Sequence, residues 1–213
     1  RALLKSIGVE RPILIGHSMG GMLTVRYAVS FPDDIAAVAL VNPIGLEDWS
    51  AKGVPGRTLD ELLVGERKTD AAKIKAYQQK VYYDGRWRPE FDRWVEMLAS
   101  MYVGENSEGT MLSQARASDM IFTQPVVHEF PRIKVPVALL IGERDTTAIG
   151  KDRAAPEVAT KLGDYPELAR EAQSRIPNAR LITFPKLGHS PQIEEPTEFN
   201  AALLDALSKL GTP

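Results

Sequence analysis

Four stretches of the chain are apolar with little or no interruption. Residues 13–15 (Ile-Leu-Ile) run into Gly16, residues 35–41 into Asn42-Pro43, residues 135–141 into Gly142, and residues 180–184 carry Leu181 and Phe184. Short apolar runs bounded by turn formers read as buried strands. Continuous rather than alternating hydrophobicity suits parallel strands covered on both faces. Helical spacing lies between them. Residues 1–8 read as the last turns of an amphipathic helix closed by Gly8, and residues 22–30 hold no glycine or proline before Phe31-Pro32. Residues 156–173 read as a helix broken around 163–166, and residues 196–210 turn Phe199, Ala202, Leu203, Ala206 and Leu210 to one face before Gly211. Strand, helix, strand in that order demands right-handed crossovers. The expected fold is therefore α/β, a parallel sheet of four strands flanked by helices, built from residues 1–44 and 125–213.

Residues 45–124 break this rhythm with charges of both signs, aromatic residues and no strand-like run. They are expected to form an inserted, mainly helical cap. Its clearest helices are 70–83, with Ile74, Tyr77 and Val81 at helical spacing, and 89–101, with Phe91, Trp94, Val95 and Leu98. Any one aromatic on such a stripe is by default packing. Taken together, Trp87, Trp94, Met97, Met111 and Phe122, with Met101 and Tyr102, supply more adaptable apolar surface than a linker needs, and they are expected to wall a substrate pocket.

Composition narrows the class without choosing the chemistry. The 213 residues hold 26 Lys and Arg against 28 Asp and Glu, a net charge of −2, so no bulk electrostatic argument favours nucleic acid or an anionic membrane as partner. There is no cysteine, which excludes disulfides, a cysteine nucleophile and thiolate metal sites. No apolar run approaches the ~18 residues of a membrane-spanning helix. A soluble protein is expected, cytoplasmic or exported.

The chemistry starts at Gly16-His17-Ser18-Met19-Gly20. A serine between glycines two residues away, after a strand and before a helix, is the pattern of a nucleophile elbow, with Gly16 and Gly20 letting the backbones approach. The bland alternative is a serine that merely caps the helix. Either way Ser18 stands at a helix N-terminus, and the backbone N–H of Met19 is placed to receive negative charge developing beside it. A serine nucleophile needs a base, and that base needs an orienting acid. Three histidines are available. His17 adjoins the serine and is expected to line the elbow, and His128 lies in a polar return loop. His189 sits just past the fourth strand, at the edge where α/β sheets place reactive groups. Asp145, four residues beyond Ile141, shares that edge; Glu143, Asp152 and Asp48 are its competitors. Glu194 and Glu195 read as favourable charges at a helix start.

Gly16-His17-Ser18-Met19-Gly20-Gly21, Ile141-Gly142-Glu143-Arg144-Asp145 and Gly188-His189-Ser190-Pro191 together resemble the α/β-hydrolase family, with a variable cap between the outer motifs. The resemblance implies a serine hydrolase in which Ser18 attacks an acyl carbon, His189 moves the proton and Asp145 holds the imidazole. No cofactor or metal is implied, and the partner is a small-molecule substrate. Similar proteins carry a further segment before the elbow, with the first strands and a loop that donates a second oxyanion N–H. Its absence from this sequence is the main departure, and the active molecule is expected to include such a segment, in cis or as a second chain. The leading expectation is cleavage of a carboxylic ester with a small to medium, largely apolar acyl group through an acyl-enzyme. Alternatives keep the triad but cleave a carbon–carbon bond, a lactone or an N-terminal peptide bond, or keep the fold without catalysis.

Overall fold

The structure is a computed structural model, and it describes residues 1–210. Four strands, β1 (Ile13–His17), β2 (Ala37–Val41), β3 (Val137–Gly142) and β4 (Ala179–Phe184), pair in that order, and every pairing is parallel. The two central strands are buried along their whole length, whereas β1 and β4 are edge strands with one exposed side. That is why β2 and β3 read as unbroken apolar runs and β4 does not.

The pleat sends alternate residues of the central strands to opposite faces. Val38, Leu40, Val137, Leu139 and Ile141 join the larger core, and Ala39, Val41, Ala138 and Leu140 join the smaller one. In chain order the helices are α1 (Ala2–Ser6), α2 (Met19–Ser30), α3 (Leu59–Glu66), α4 (Ala71–Tyr77), α5 (Asp92–Ser100), α6 (Ser107–Thr123), α7 (Pro156–Ala159), α8 (Tyr165–Arg175), α9 (Pro191–Glu194) and α10 (Pro196–Leu210). Helix α2 brings Met22, Val25 and Ala28 to the larger core, and α8 brings Leu168, Ala169 and Ala172. Phe199 and Ala206 of α10 close the other face. Gly211, expected to close that last helix, lies outside the described residues.

Helices α3 to α6 all lie between β2 and β3 and make the cap. It is arranged as two pairs, α3 against α6 and α4 against α5. The segment leading into it belongs to the body by packing: Leu46, Trp49 and Val54 sit in the larger core, and the Gly45 carbonyl accepts the N–H groups of Val126 and Val127. The helix expected over 70–83 is α4 followed by a π-helical turn, Gln78–Tyr82, and the one expected over 89–101 is a 3-10 turn, Pro89–Phe91, continued by α5. No helix among the described residues is long and apolar enough to cross a membrane.

Candidate active site

All four strands point their carboxyl ends to one edge, and each delivers one polar group there. Ser18 follows β1, Asn42 follows β2, and the loops after β3 and β4 carry Asp145 and His189. Ser18 adopts φ 54° and ψ −121°, a backbone that non-glycine residues rarely enter. Its surroundings hold it there: its N–H donates to the Val41 carbonyl at 3.1 Å, and its carbonyl accepts from Gly21 at 2.9 Å and Ile44 at 3.2 Å. Met19 opens α2, so its N–H is among those with no acceptor inside the helix.

The glycines around the serine divide the work differently from the sequence expectation. A Cβ at Gly16 would meet the Gly20 carbonyl and Thr24 Oγ1, so strand and helix do need glycine there. A Cβ at Gly20 would meet nothing among the described residues. The second close approach is at Gly21, where a Cβ would stand 2.5 Å from Pro43 Cβ, because that position of the helix turns toward the loop after β2.

His189 is fully buried, and its Nδ1 lies 2.6 Å from Asp145 Oδ2. A carboxylate accepts, so Nδ1 carries the proton and Nε2 is left with its lone pair. Nε2 is buried without a hydrogen-bond partner, so the Ser18 hydroxyl is not bonded to it. Asp145 is 1% exposed and accepts from Asn42 Nδ2 at 3.0 Å, the Thr147 N–H at 2.8 Å and Thr147 Oγ1 at 2.6 Å. Buried charge is tolerated where donors surround it. Asn42 itself has φ 35° and exchanges hydrogen bonds with the Gly142 backbone, which locks the ends of β2 and β3 together.

Two of the competing acids, Asp48 and Asp152, are engaged elsewhere. Asp48 pairs with His128 at 2.8 Å on the surface, and its carboxyl is held below the usual range by the Ala51 N–H and then by that histidine. Asp152 is exposed and faces Arg57 and Arg153. Glu194 is not merely a helix-start charge: it is 4% exposed, accepts the Gly188 N–H at 2.6 Å and pairs with Arg86 at 3.0 Å. Burial raises its carboxyl above the ordinary value. His17 does more than line the elbow. Its Nε2 lies 2.8 Å from the His189 carbonyl, and since a carbonyl only accepts, Nε2–H is the donor. Burial, then the neighbouring His189, lowers its pKa to about 4, so it stays neutral at neutral pH.

The cap clasps the loop that bears His189. The Tyr82 carbonyl accepts the His189 N–H at 2.9 Å, and the Tyr82 ring stacks on the imidazole at 4.2 Å. Arg86 donates to Lys186 O and Glu194, and Arg88 to Glu195 and the Glu194 carbonyl. The five residues expected to wall a pocket do not come together. Trp87 packs edge-on against Tyr83 and Phe91 and donates to Asp92, and Trp94 lies under the Arg93 guanidinium. Met97 is 57% exposed, Met111 is half-buried, and Phe122 stacks on Trp49 in the larger core. The apolar character of Trp87 and Phe122 serves packing, as a stripe on a helix usually does. Sequence reasoning missed Asn42, Thr147, Tyr82 and the tie made by His17. Only Asn42 and Thr147 had a local signal, each standing just past a strand end on the edge that carries the serine.

The alpha/beta hydrolase family profile matches residues 1–202. The chain belongs to that family. A crystal structure of a probable hydrolytic enzyme from Pseudomonas aeruginosa is 53% identical and superposes with a TM-score of 0.94, covering 97% of this chain and 66% of that one. A 2-hydroxy-6-oxononadienedioate/2-hydroxy-6-oxononatrienedioate hydrolase of Paraburkholderia phymatum is 28% identical over 98% of this chain and 66% of its own length. An AB hydrolase superfamily protein of Bacillus subtilis is 24% identical over 95% of this chain and 69% of its own length. The chain thus spans about two thirds of the length of these relatives.

Proposed function

We propose that the full-length protein is a serine hydrolase that cleaves a carboxylic ester of a small to medium, mainly apolar acyl group through an acyl-enzyme. The observation that carries this reading is the buried 2.6 Å pair of His189 Nδ1 and Asp145, with the unpartnered Nε2 on the sheet edge that also presents Ser18 on its strained turn. Ser18 Oγ attacks the carbonyl carbon while His189 Nε2 takes its proton. Negative charge on the carbonyl oxygen develops at the N-terminus of α2, where the Met19 N–H donates to it. Nε2 returns the proton to the departing alcohol, and a water then repeats the sequence on the acyl-enzyme. Asp145 holds the ring in the required tautomer, helped by the Thr147 hydroxyl 3.2 Å from Nδ1.

A further segment supplies the second oxyanion donor in this reading. In its favour, β1 pairs on one side alone among the described residues and leaves Ile15 52% exposed, an edge that another strand would cover. A second reading keeps the triad and cleaves a carbon–carbon bond; the relative named for 2-hydroxy-6-oxononadienedioate hydrolysis favours it. A panel of p-nitrophenyl esters run beside a dienoate diketone separates the two. Ester turnover lost in Ser18→Ala supports the first, and turnover of the diketone alone would replace it with the second.

A further inference from the structure

Two rings flank the imidazole of His189. The Tyr82 ring of the cap stacks on it, with centroids 4.2 Å apart and planes 30° from parallel, and the His17 ring is tilted beside it at 4.9 Å and 53°. His189 itself is fully buried. In the proposed mechanism it takes the Ser18 proton and becomes an imidazolium, so a positive charge develops in a place closed to water. Such a charge is costly unless its neighbours answer it. Asp145 does so at Nδ1, at 2.6 Å, and the flanking rings decide what the rest of the imidazole meets.

Those two rings differ in kind. His17 is neutral at neutral pH, its pKa lowered to about 4 by burial and then by His189, so it adds no opposing charge. Tyr82 presents the electron-rich face of a phenol. A cation within about 6 Å of such a ring centroid is attracted to it, most strongly where water is excluded. Burial holds the Tyr82 phenol well above the usual tyrosine range, so the ring stays uncharged.

The backbone explains how Tyr82 comes to lie there. It closes the π-helical turn Gln78–Tyr82, a form that recurs at functional sites. The last two carbonyls of that turn reach both loops of the acid–base pair. Val81 O accepts the Thr146 N–H at 3.5 Å, next to Asp145, and Tyr82 O accepts the His189 N–H at 2.9 Å. Just beyond, Asp84 pairs with Arg144 at 3.1 Å and Arg86 with Glu194 at 3.0 Å. The Tyr82 ring is thus carried by a stretch tied to the acid loop and the base loop alike, and Tyr77 backs it edge-on at 5.4 Å.

We propose that Tyr82 is a positioning residue for His189, its ring face orienting the imidazole and stabilising the positive charge that the imidazole gains when it takes the serine proton. The inference rests on the serine-hydrolase reading and gives the cap a part in the chemistry.

The test is kcat and KM for p-nitrophenyl butyrate in the wild type and three variants, with active sites counted by a serine-directed phosphonate so that any misfolded fraction drops out. Tyr82→Phe keeps the ring face and is expected to stay within about threefold of wild type in kcat. The other two are Tyr82→Leu and a variant with pentafluorophenylalanine at this position, whose ring fills nearly the same space with an electron-poor face. Both are expected to lose about tenfold or more in kcat, with KM changed by less than about threefold. Packing alone predicts that the fluorinated ring works as well as phenylalanine. That result overturns the role of Tyr82 and leaves the hydrolase standing, as does a kcat in Tyr82→Phe as low as in Tyr82→Leu. Wild-type protein that does not turn over the ester at all overturns the hydrolase reading, and the role of Tyr82 falls with it.

Discussion

The two oxygens of Asp145 serve different donors. Oδ2 takes the His189 Nδ1–H and the Asn42 amide, while Oδ1 takes both donors of Thr147. Asp145→Asn is expected to keep the fold and lower kcat by about 10⁴, because an amide can present N–H to Nδ1 and stabilise the wrong tautomer. Steady-state ester kinetics check it, and a loss below about tenfold would move the orienting role to another acid. His17 gives a pH prediction. Its pKa falls from 6.5 to about 4 on folding, so between those values the unfolded chain binds the additional proton. Stability linked to His17 is therefore complete above 6.5 and is lost as pH drops toward 4. Thermal denaturation of the wild type and His17→Gln from pH 7 to pH ~4.5 should show a shallower decline in the variant; parallel curves would contradict the assignment. Ser18, Asp145 and His189 were legible because each follows a strand end and stands among glycines in a recognisable order. The Thr147 and His17 contacts were not, since both depend on where a loop 42 or 172 residues away comes to rest.

At the scale of elements, the loop bearing His189 is gripped by the cap as well as by its own strand, where the Phe184 carbonyl accepts the Leu187 N–H. Gly188 has to be glycine for this: a Cβ there would run into the Tyr82 carbonyl, the acceptor of the His189 N–H. Gly188→Ala is expected to destabilise by about 1–3 kcal/mol, the usual cost of overpacking, and to lower kcat more than it raises KM. Denaturant unfolding together with kinetics reads both, and unchanged stability would mean that the clasp is loose. Replacing Glu194 with Leu should also cost about 1–3 kcal/mol, because the buried Gly188 N–H loses its acceptor. The sheet was readable from continuous apolar runs, but half of the cap was not. Helices α3 and α6 each contain a glycine, Gly65 and Gly109, and α6 buries only Ala115 and Phe122, so neither shows a clean apolar stripe. The π-helical turn left no trace in the periodicity, because its one extra residue looks like a phase slip.

Over the whole molecule, a parallel sheet gathers four strand ends at one edge, and the cap inserted between β2 and β3 lies over that edge and touches His189 directly. The expectation of an apolar cap pocket came from counting large side chains, and the structure spends most of those on packing the cap against itself and the core. The central claim is that Ser18 is a nucleophile activated by His189. The most direct measurement is the intact mass of the protein before and after a serine-directed phosphonate, with the adduct mapped by peptide sequencing. One adduct per chain on Ser18, absent in Ser18→Ala and slowed by about 10³ or more in His189→Ala, is the expected result. No adduct, or one that maps elsewhere and persists in Ser18→Ala, would contradict it.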